Sequence, residues 1–457
     1  MIDTADVVEQ GFEEFEEARR REVAGFFLPS AGGVHTARAP GRLDVMGGIS
    51  DYSGGFVAEM PIASAAFAAA QAGETREGAV VVRSINALGA DLTPEVEIPA
   101  DIFINPVSML RRVREYPSAE RWIGYVAGCF SLLRAEGLVP RRIGARILVG
   151  SQIPIGAGVS SSAALEVATM RALCSAFGVP LEGIPLARLC QRVENDVMDA
   201  PCGVMDQVTC TLGEPGTLLR LLCQPHDMGG SLPLPEGWSV FGIDSCVKHS
   251  IAGAGYTNAR IAAFMGYKIL SDRAGQGFGG YLCNIRPDEY RALAPDRLPE
   301  KVAGAAFLSE HSGIYDTVTN VDPAHDYPMR AATEHAIFEM RRVHDFVVAL
   351  ETGGDAAVNA AGNSMYASHA SYSACGLGSP ETDLLVELAR SRPEVAGAKI
   401  TGGGSGGTVC VLCRADAEAE LARAIAAAYG ERTGRVPRVI RGTSPGAMFT
   451  PVRQHAS

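Results

Sequence analysis

The hydrophobic pattern is clearest between residues 143 and 178, where it predicts a strand followed by a helix. Apolar residues alternate with other residues at Ile143, Ala145, Ile147 and Val149, which is the period of a half-buried strand. Further along, apolar residues recur at helical spacing: Leu165, Ala168, Ala172, Leu173 and Ala176. Gly178 follows as a helix stop. A turn therefore joins a strand to the N-terminus of a helix.

That turn has the sequence PIGAGVSSSAA, residues 154–164. Gly156 and Gly158 let the backbone come close to a ligand. Ser160, Ser161 and Ser162 offer N–H groups and hydroxyls at the positive end of the helix, which is a phosphate site in physical terms. The alternative is an ordinary serine-capped helix after a flexible turn.

The same patterns divide the rest of the chain into strands and helices. Strands are predicted at 57–71, 79–84 and 238–243, and two strands flank a glycine-rich loop within 396–412. Helical patterns cover 1–25, 119–135, 185–198, 331–352 and 380–391, whereas 271–330 is predicted to be loop-rich. A break rich in Pro and Gly at 224–238 predicts two domains, 1–225 and 226–457.

Composition narrows the classes of function. The chain has 457 residues, of which 47% are hydrophobic and 20% charged, as in a soluble protein with a real core. A net charge of −12 disfavours nucleic acid or an anionic membrane as a partner. No apolar run reaches the length of a bilayer span, and the acidic start lacks the features of a signal peptide. The 11 cysteines lack the spacing of a disulfide framework, which favours the cytoplasm.

Two further segments contain candidate chemistry. ARAPGRLDVMGGISDYSGG, residues 37–55, places Arg42 and Asp51 among glycines, as in sites where backbone approaches a polar ligand; a hairpin with solvated charges is the alternative. In DAPCGVMDQ, residues 199–207, Asp206 lies among apolar residues. Such a carboxylate needs a partner, for which Arg42 is the candidate, unless Asp206 only caps a helix.

Other candidates are weaker. Glu194 lies at the edge of an apolar helix stripe and either reaches into a cleft or is solvated. Trp122 and Tyr125 share a helix face and either belong to the core or form the wall of an apolar pocket for a base. The GxGxxG match at 402–407 is followed by a strand, so a dinucleotide site fails its structural test, and the chain contains no P-loop motif.

Taken together, the segments resemble the GHMP sugar kinases. Three of them, APGRLDVMGGISDYSGG, PIGAGVSSSAALE and KITGGGSGGTV, look like the three signatures of that family in order. PCGVMDQ looks like the galactokinase segment with the catalytic Asp, and KHSIAGAGYTNAR is similar to the sequence just beyond it. GRLDVMGGISDYSG and FMGYKIL…GGYLCNI resemble the kinase half of the plant L-arabinokinases.

The resemblance implies two α/β lobes with an active site in the cleft between them, and a C-terminal strand near 437–453 that returns to the first lobe. It implies ATP and Mg²⁺ as cofactors and transfer of a phosphoryl group to the anomeric hydroxyl of a sugar. The nucleotide-binding positions would be Gly156, Gly158, Ser160, Ser161, Ser162, Trp122 and Tyr125. Ser162 and Glu194 match the Mg²⁺ ligands. Asp206 matches the residue that orients or deprotonates the attacking hydroxyl, and Arg42 matches the cation beside it.

The substrate positions implied by the resemblance include two departures from galactokinases. These positions are Asp51, Gly48, Ile49, Gly203, Tyr256, Gly403 and Gly404. Asp44 stands where galactokinases usually have Asn, and Gly48-Ile49 stands where they have Glu-His.

The Glu-His pair of galactokinases lies near the hydroxymethyl group that L-arabinose lacks. The sequence therefore predicts an L-arabinose 1-kinase, and Gly48→Glu with Ile49→His is expected to narrow its preference for the pentose. A galactokinase, a glucuronate kinase and a silent sugar sensor are the alternatives. The intact SSSA turn, Glu194 and Asp206 argue against the sensor. The predicted partner is a small sugar, with no nucleic acid and no membrane, and the sequence does not indicate an oligomeric state.

Overall fold

The computed structural model describes residues 4–73, 75, 78–87, 89, 91–247 and 254–455. The helices are α1 Thr4–Glu22, α2 Pro106–Glu115, α3 Ile123–Ala135, α4 Ser161–Phe177, α5 Gly183–Arg192, α6 Met205–Leu212, α7 Ala254–Ala274, α8 Pro287–Leu293, α9 Gly304–Glu310, α10 Met329–Thr352, α11 Asp355–Ala374, α12 Pro380–Arg390 and α13 Glu418–Thr433. The strands are β1 Val34–Met46, β2 Phe56–Gly73, β3 Val80–Ser84, β4 Glu95–Ile98, β5 Gly144–Ser151, β6 Thr217–Leu222, β7 Asp227–Pro233, β8 Trp238–Asp244, β9 Val302–Ala303, β10 Asp326–Tyr327, β11 Val395–Ile400, β12 Thr408–Arg414, β13 Arg438–Ile440 and β14 Arg453–His455.

The larger sheet has the strand order β14-β1-β2-β5-β3-β4, with β6 on β2 and β7 on β6. Its pairs are antiparallel except β3 with β5, and α4 packs against β1 and β2. The predicted strands at 57–71, 79–84 and 143–149 are confirmed as β2, β3 and β5. β1 and β2 pair antiparallel, as in the hairpin alternative, but the charges of that alternative are not solvated, because Arg42 is 2% exposed and Asp44 is completely buried.

The smaller sheet has the order β11-β12-β8-β13. The predicted glycine-rich loop between strands is confirmed, since β11 and β12 pair antiparallel around it. β13 joins this smaller sheet, whereas β14 pairs with β1 of the larger one. β7 begins at Asp227 and still pairs with β6 of the larger sheet. The division into domains 1–225 and 226–457 stays a prediction.

Helices cover these sheets as their apolar faces require. Phe12 and Phe15 of α1 are buried, and each ring centroid lies 5.5 Å from that of Phe67 in β2. The helices predicted near 119–135, 331–352 and 380–391 are confirmed as α3, α10 and α12. The segment 271–330 was predicted to be loop-rich, but it contains α8, α9 and the short pair β9–β10. Its short elements lack a sustained hydrophobic period, which is the signal that sequence reading uses.

The helix predicted at 185–198 changes its winding before it ends. α5 stops at Arg192, and a π-helical turn follows at Val193–Val197. Such turns re-aim side chains and occur frequently at functional sites. Here the turn contains Glu194. In the described part of the chain, none of the helices combines the length and the apolar character needed to cross a membrane.

Candidate active site

The C-terminal end of β1, the turn before α4, the start of α6 and the β11–β12 loop meet around one cavity of about 400 Å³. This cavity brings together the residues that the sequence singled out. They are Arg42, Gly48, Ile49, Asp51, Trp122, Tyr125, Gly156, Gly158, Ser160, Ser161, Ser162, Glu194, Gly203, Asp206, Tyr256, Gly403 and Gly404. They come from segments up to several hundred residues apart, so the fold and not chain proximity assembles them.

Arg42 and Asp206 form the centre of this cavity. Arg42 donates from Nε and Nη2 to Asp206 Oδ1, at 3.0 and 2.7 Å. Its Nη1 donates to the carbonyl oxygen of Gly158 at 2.8 Å, so the same guanidinium also holds the turn before α4. Asp206 is the second residue of α6, and the helix has Val204 at its N-cap with no side-chain cap bond. Asp206 thus has the partner that the sequence predicted, and the helix-cap alternative is wrong.

A second carboxylate behind Arg42 was missed by the sequence analysis. Glu59 of β2 is completely buried, and its Oε2 lies 3.1 Å from Arg42 Nε. Burial alone would lower the pKa of Arg42, but the negative charges of Asp206 and Glu59 outweigh it and raise that pKa. The pKa of Glu59 is raised well above its usual value, first by burial and then by the charge of Asp44. The signal in the sequence was a lone Glu within the long apolar run of β2.

The turn before α4 has the strained geometry of a ligand-binding loop. Gly156 and Gly158 adopt φ of 75° and 74°, and Ser160 adopts φ of 58°, where a non-glycine residue is uncommon. Ser160 precedes the helix but makes no side-chain cap bond, so the serine-cap alternative is wrong. Among the described residues, its buried Oγ has no hydrogen-bond partner. A buried hydroxyl facing a cavity without a partner is suited to accept a ligand.

Glu194 points into the cavity next to this turn. It is 5% exposed, so a solvated helix glutamate is wrong. Burial raises the pKa of Glu194 to about 7, although a hydrogen bond with Ser162 opposes the shift. Two hard oxygen donors, a hydroxyl and a carboxylate, suit Mg²⁺, which takes few protein ligands and fills its shell with phosphate and water oxygens. No group of three or more His, Cys, Asp and Glu side chains in the described residues is arranged to hold a metal.

Apolar residues line a further part of the cavity, next to the turn before α4, which is called the serine turn from here on (residues 154–164). Trp122 and Tyr125 both line it, and Trp122 donates from Nε1 to the Thr93 carbonyl at 3.3 Å. Sequence reading missed Leu92 and Asn86, which line the same end from the segment after β3. This segment has no hydrophobic period, so only its Asn and Ser residues hinted at a turn.

The opposite end is polar and tightly built. Asp51 is 5% exposed, and its Oδ1 accepts a hydrogen bond from the Tyr52 N–H at 2.7 Å. Burial, followed by the charge of Asp206, raises the pKa of Asp51 to about 7. A Cβ on Gly203 would lie 1.8 Å from Asp51 Oδ2, so only glycine fits there. Tyr256 packs edge-on against Tyr52, with ring centroids 5.7 Å apart. Residues 248–253 of the predicted segment KHSIAGAGYTNAR lie outside the described residues.

Gly48 and Ile49 close one side of this polar end. Gly48 has φ of +24°, and a Cβ there would lie 1.5 Å from Tyr372 Oη. Ile49 is 2% exposed and belongs to an apolar cluster while it also lines the cavity. The exchange Gly48→Glu with Ile49→His, expected to narrow the preference for the pentose, stays a prediction. A glutamate at position 48 has no space unless Tyr372 moves as well.

Asp44, which stands where galactokinases usually have Asn, has a buried cation beside it that the sequence analysis overlooked. Lys399 Nζ lies 2.7 Å from Asp44 Oδ2, and both side chains are completely buried. Asp44 also accepts hydrogen bonds from the N–H groups of Gly48 at 3.0 Å and Gly402 at 3.3 Å. Local hydrogen bonding is therefore complete with an aspartate at this position. The signal was one lysine in the apolar strand β11.

Comparison with known proteins agrees with this geometry. Family models match for the GHMP kinases N terminal domain at 124–214, the GHMP kinases C terminal domain at 350–431 and the galactokinase galactose-binding signature at 27–72. A galactokinase from Chloroflexus aggregans is 30% identical over 87% of this chain and 89% of its own length. The chain therefore belongs to the GHMP kinase family. Within it, the protein is a sugar kinase of the galactokinase and L-arabinokinase type.

One more relative and one solved structure are similar to this chain over most of its length. L-arabinokinase from Arabidopsis thaliana is 38% identical over 94% of this chain, which spans 47% of that relative's length. The solved structure of Lactococcus lactis galactokinase complexed with galactose has a TM-score of 0.74 and 21% identity, and covers 96% of this chain and 98% of its own. The predicted two-lobed GHMP kinase fold is thereby confirmed.

Proposed function

We propose that this protein transfers the γ-phosphoryl group of ATP to the anomeric hydroxyl of L-arabinose, giving L-arabinose 1-phosphate and ADP. The observation that supports the proposal best is the Arg42–Asp206 pair, which lines the same cavity as the serine turn and Asp51. Phosphoryl transfer needs positioned reactants, neutralised phosphate charge and a carboxylate for the hydroxyl proton, and this cavity has a residue for each task.

Asp206 is the group that meets the acceptor. Its Oδ1 is engaged by Arg42, which holds the carboxylate in place. Asp206 orients the C1 hydroxyl and takes its proton while the sugar oxygen bonds to the γ-phosphorus. The bond between the γ-phosphorus and the bridging oxygen breaks, and its electron pair leaves with ADP.

The serine turn holds the phosphates. Ser160, Ser161 and Ser162 line the cavity at the start of α4, where the helix N-terminus favours negative charge, and the Ser160 hydroxyl has no hydrogen-bond partner among the described residues. Ser162 and Glu194 would hold Mg²⁺, which neutralises charge on the phosphate oxygens. Trp122 and Tyr125 provide the apolar wall for the adenine.

The choice of sugar rests on the closed wall at Gly48-Ile49. L-arabinopyranose has the ring stereochemistry of D-galactopyranose without the hydroxymethyl group. Gly48 offers no polar side chain and Ile49 offers hydrocarbon, so a hydroxymethyl group there would lose its water without a new partner. That loss costs on the order of 1–3 kcal/mol. The 38% identity to an L-arabinokinase supports the same choice.

The deciding experiment measures ADP release with a panel of free sugars. We expect kcat/KM for L-arabinose to exceed that for D-galactose by about 10-fold or more, which matches the cost of the unpaired hydroxymethyl group. D-Glucuronate serves as a third acceptor. Equal or better use of D-galactose would instead support a galactokinase, which the 30% identity to galactokinases makes the second candidate. Binding of sugar and ATP without any ADP release would support a sensor.

The serine turn yields a separate prediction. Ser162→Ala removes a hydroxyl that lines the cavity together with Glu194, and we expect the Mg²⁺ concentration for half-maximal rate to rise by at least about 10-fold. Ser175→Ala is the matched control, because Ser175 lies near the other end of α4 and its Oγ bonds His35. A Mg²⁺ dependence and an ATP KM that match wild type in Ser162→Ala would remove this residue from the metal site.

A further inference from the structure

Tyr372 is held rigidly behind the wall of the cavity. It is completely buried in α11, and its ring meets that of His335 edge-on, with centroids 5.2 Å apart. The ammonium of Lys399 lies 5.0 Å from the centre of the tyrosine ring. α11 itself has no room to shift toward β11, because a Cβ on Gly362 would lie 1.9 Å from the carbonyl oxygen of Ala396. The tyrosine ring is therefore packed between His335 and Lys399 on a helix that lies close to β11.

The hydroxyl of Tyr372 joins three segments that shape the acceptor end. It accepts a hydrogen bond from the Ile49 N–H at 2.9 Å. Its own proton is shared between the Gly402 carbonyl oxygen at 3.2 Å and Asp44 Oδ2 at 3.3 Å. Burial raises the pKa of Tyr372 well above its usual value, so the hydroxyl keeps that proton. One oxygen atom thus links β1, the loop after it and the β11–β12 loop.

The same hydroxyl excludes any side chain at position 48. A Cβ on Gly48 would lie 1.5 Å from Tyr372 Oη and 2.7 Å from Cζ. Gly48 and Ile49 line the cavity, whereas Tyr372 lies behind them. Tyr372 therefore acts on the cavity through these two residues, as a positioning residue.

We infer that Tyr372 sets the size of the sugar that this kinase accepts, because its hydroxyl holds the Gly48-Ile49 backbone against the position where a hexose would place its extra carbon. The inference rests on the proposed sugar 1-kinase function. Tyr372, a residue of α11 in the C-terminal half, thereby has a role in the choice of the acceptor sugar. The selectivity for a pentose thus depends on Tyr372 together with Gly48 and Ile49.

The test is Tyr372→Phe, which removes one oxygen and keeps the ring against His335 and Lys399. Without the hydroxyl, the Ile49 N–H has no acceptor and the wall relaxes. We expect the ratio of kcat/KM for L-arabinose to that for D-galactose to fall by about fivefold or more, the effect of one buried donor left unpaired. The sugar KM is expected to rise while the ATP KM stays within about twofold, since the serine turn makes no contact with this hydroxyl.

Tyr327→Phe is the matched control. Tyr327 is also completely buried, belongs to the same apolar cluster and uses its hydroxyl to accept from the Asp322 N–H at 2.9 Å. Thermal unfolding is measured for both variants. The inference is supported if both variants lose similar stability but only Tyr372→Phe changes the ratio of kcat/KM for L-arabinose to that for D-galactose. An unchanged ratio in Tyr372→Phe, with a stability loss like that of the control, overturns it.

The L-arabinose assignment and the role of Tyr372 are contradicted by different results. If the wild-type protein prefers D-galactose, the L-arabinose assignment falls, but a ratio that differs between wild type and Tyr372→Phe still supports the role of Tyr372. If the wild type prefers L-arabinose and the ratio is the same in both proteins, the function stands and the inference on Tyr372 falls.

Discussion

Asp206→Asn is expected to lower kcat by about 10²–10⁴-fold, because an amide cannot take the proton of the attacking hydroxyl. The change keeps the shape of the side chain, and the amide oxygen can still accept from Arg42, whose Nη2 lies 2.7 Å from Asp206 Oδ1. We therefore expect the dissociation constants of ATP and sugar to stay within a fewfold of wild type. Single-turnover phosphate transfer and equilibrium binding measure the two properties separately.

Asp199→Asn provides the control for Asp206→Asn. Asp199 lies in the same turn before α6, with a side chain 60% exposed and paired with Arg114 on the surface. The same chemical exchange there removes one surface ion pair, which contributes little to stability. Turnover in Asp206→Asn within a fewfold of wild type, with an intact fold, would exclude the proposed proton transfer.

Much of the fold was predictable where a local period was strong. The alternation from Ile143 to Val149 predicted β5, because Ala145, Ile147 and Val149 share one core cluster with α4, although Leu148 on the other face is buried as well. The winding change at Glu194 was not predictable, because a π-helical turn differs from an α-helix by one hydrogen-bond partner and leaves no residue pattern. The same limit applies to α8 and α9, which are too short for a period to show.

The candidate site was predictable as separate motifs and not as a geometry. The glycines, the serines and Asp206 can be recognised from their neighbours in the sequence, because they lie in a glycine-rich turn or place a carboxylate among apolar residues. Tyr372 gave no such signal, because a tyrosine in a helix is ordinary until its partners are known. Lys399 was marked by its place in an apolar strand, but that pattern does not name its partner. Their partner Asp44 lies more than 300 residues away in the chain. Contacts of that separation follow from how the two sheets pack, which no local pattern encodes.

The second large effect, a loss of stability, is expected at the buried pair of Asp44 and Lys399. Lys399→Met leaves the Asp44 carboxylate completely buried without its cation, and we expect the free energy of unfolding to fall by about 3–5 kcal/mol. Burial would raise the pKa of Asp44, but Lys399 outweighs it and lowers that pKa. Because this pKa is lower in the folded state, the stability that Asp44 adds is present at neutral pH and is lost as the pH falls below its unfolded pKa. Urea unfolding at neutral and acidic pH measures both effects.

Two variants separate the charge from the volume of the lysine. Asn at position 44 needs no cation, so Asp44→Asn combined with Lys399→Met is expected to recover at least half of the lost stability. Lys268→Met is the control at a partly exposed pair, since the side chains of Lys268 and Asp272 are 18% and 40% exposed, and its loss is expected to cost about 1 kcal/mol or less. If Lys399→Met costs no more than this control, Asp44 does not need its cation. If the double variant is as unstable as Lys399→Met, the lysine stabilises the fold through packing and not through its charge. In that case Asp44 does not depend on Lys399.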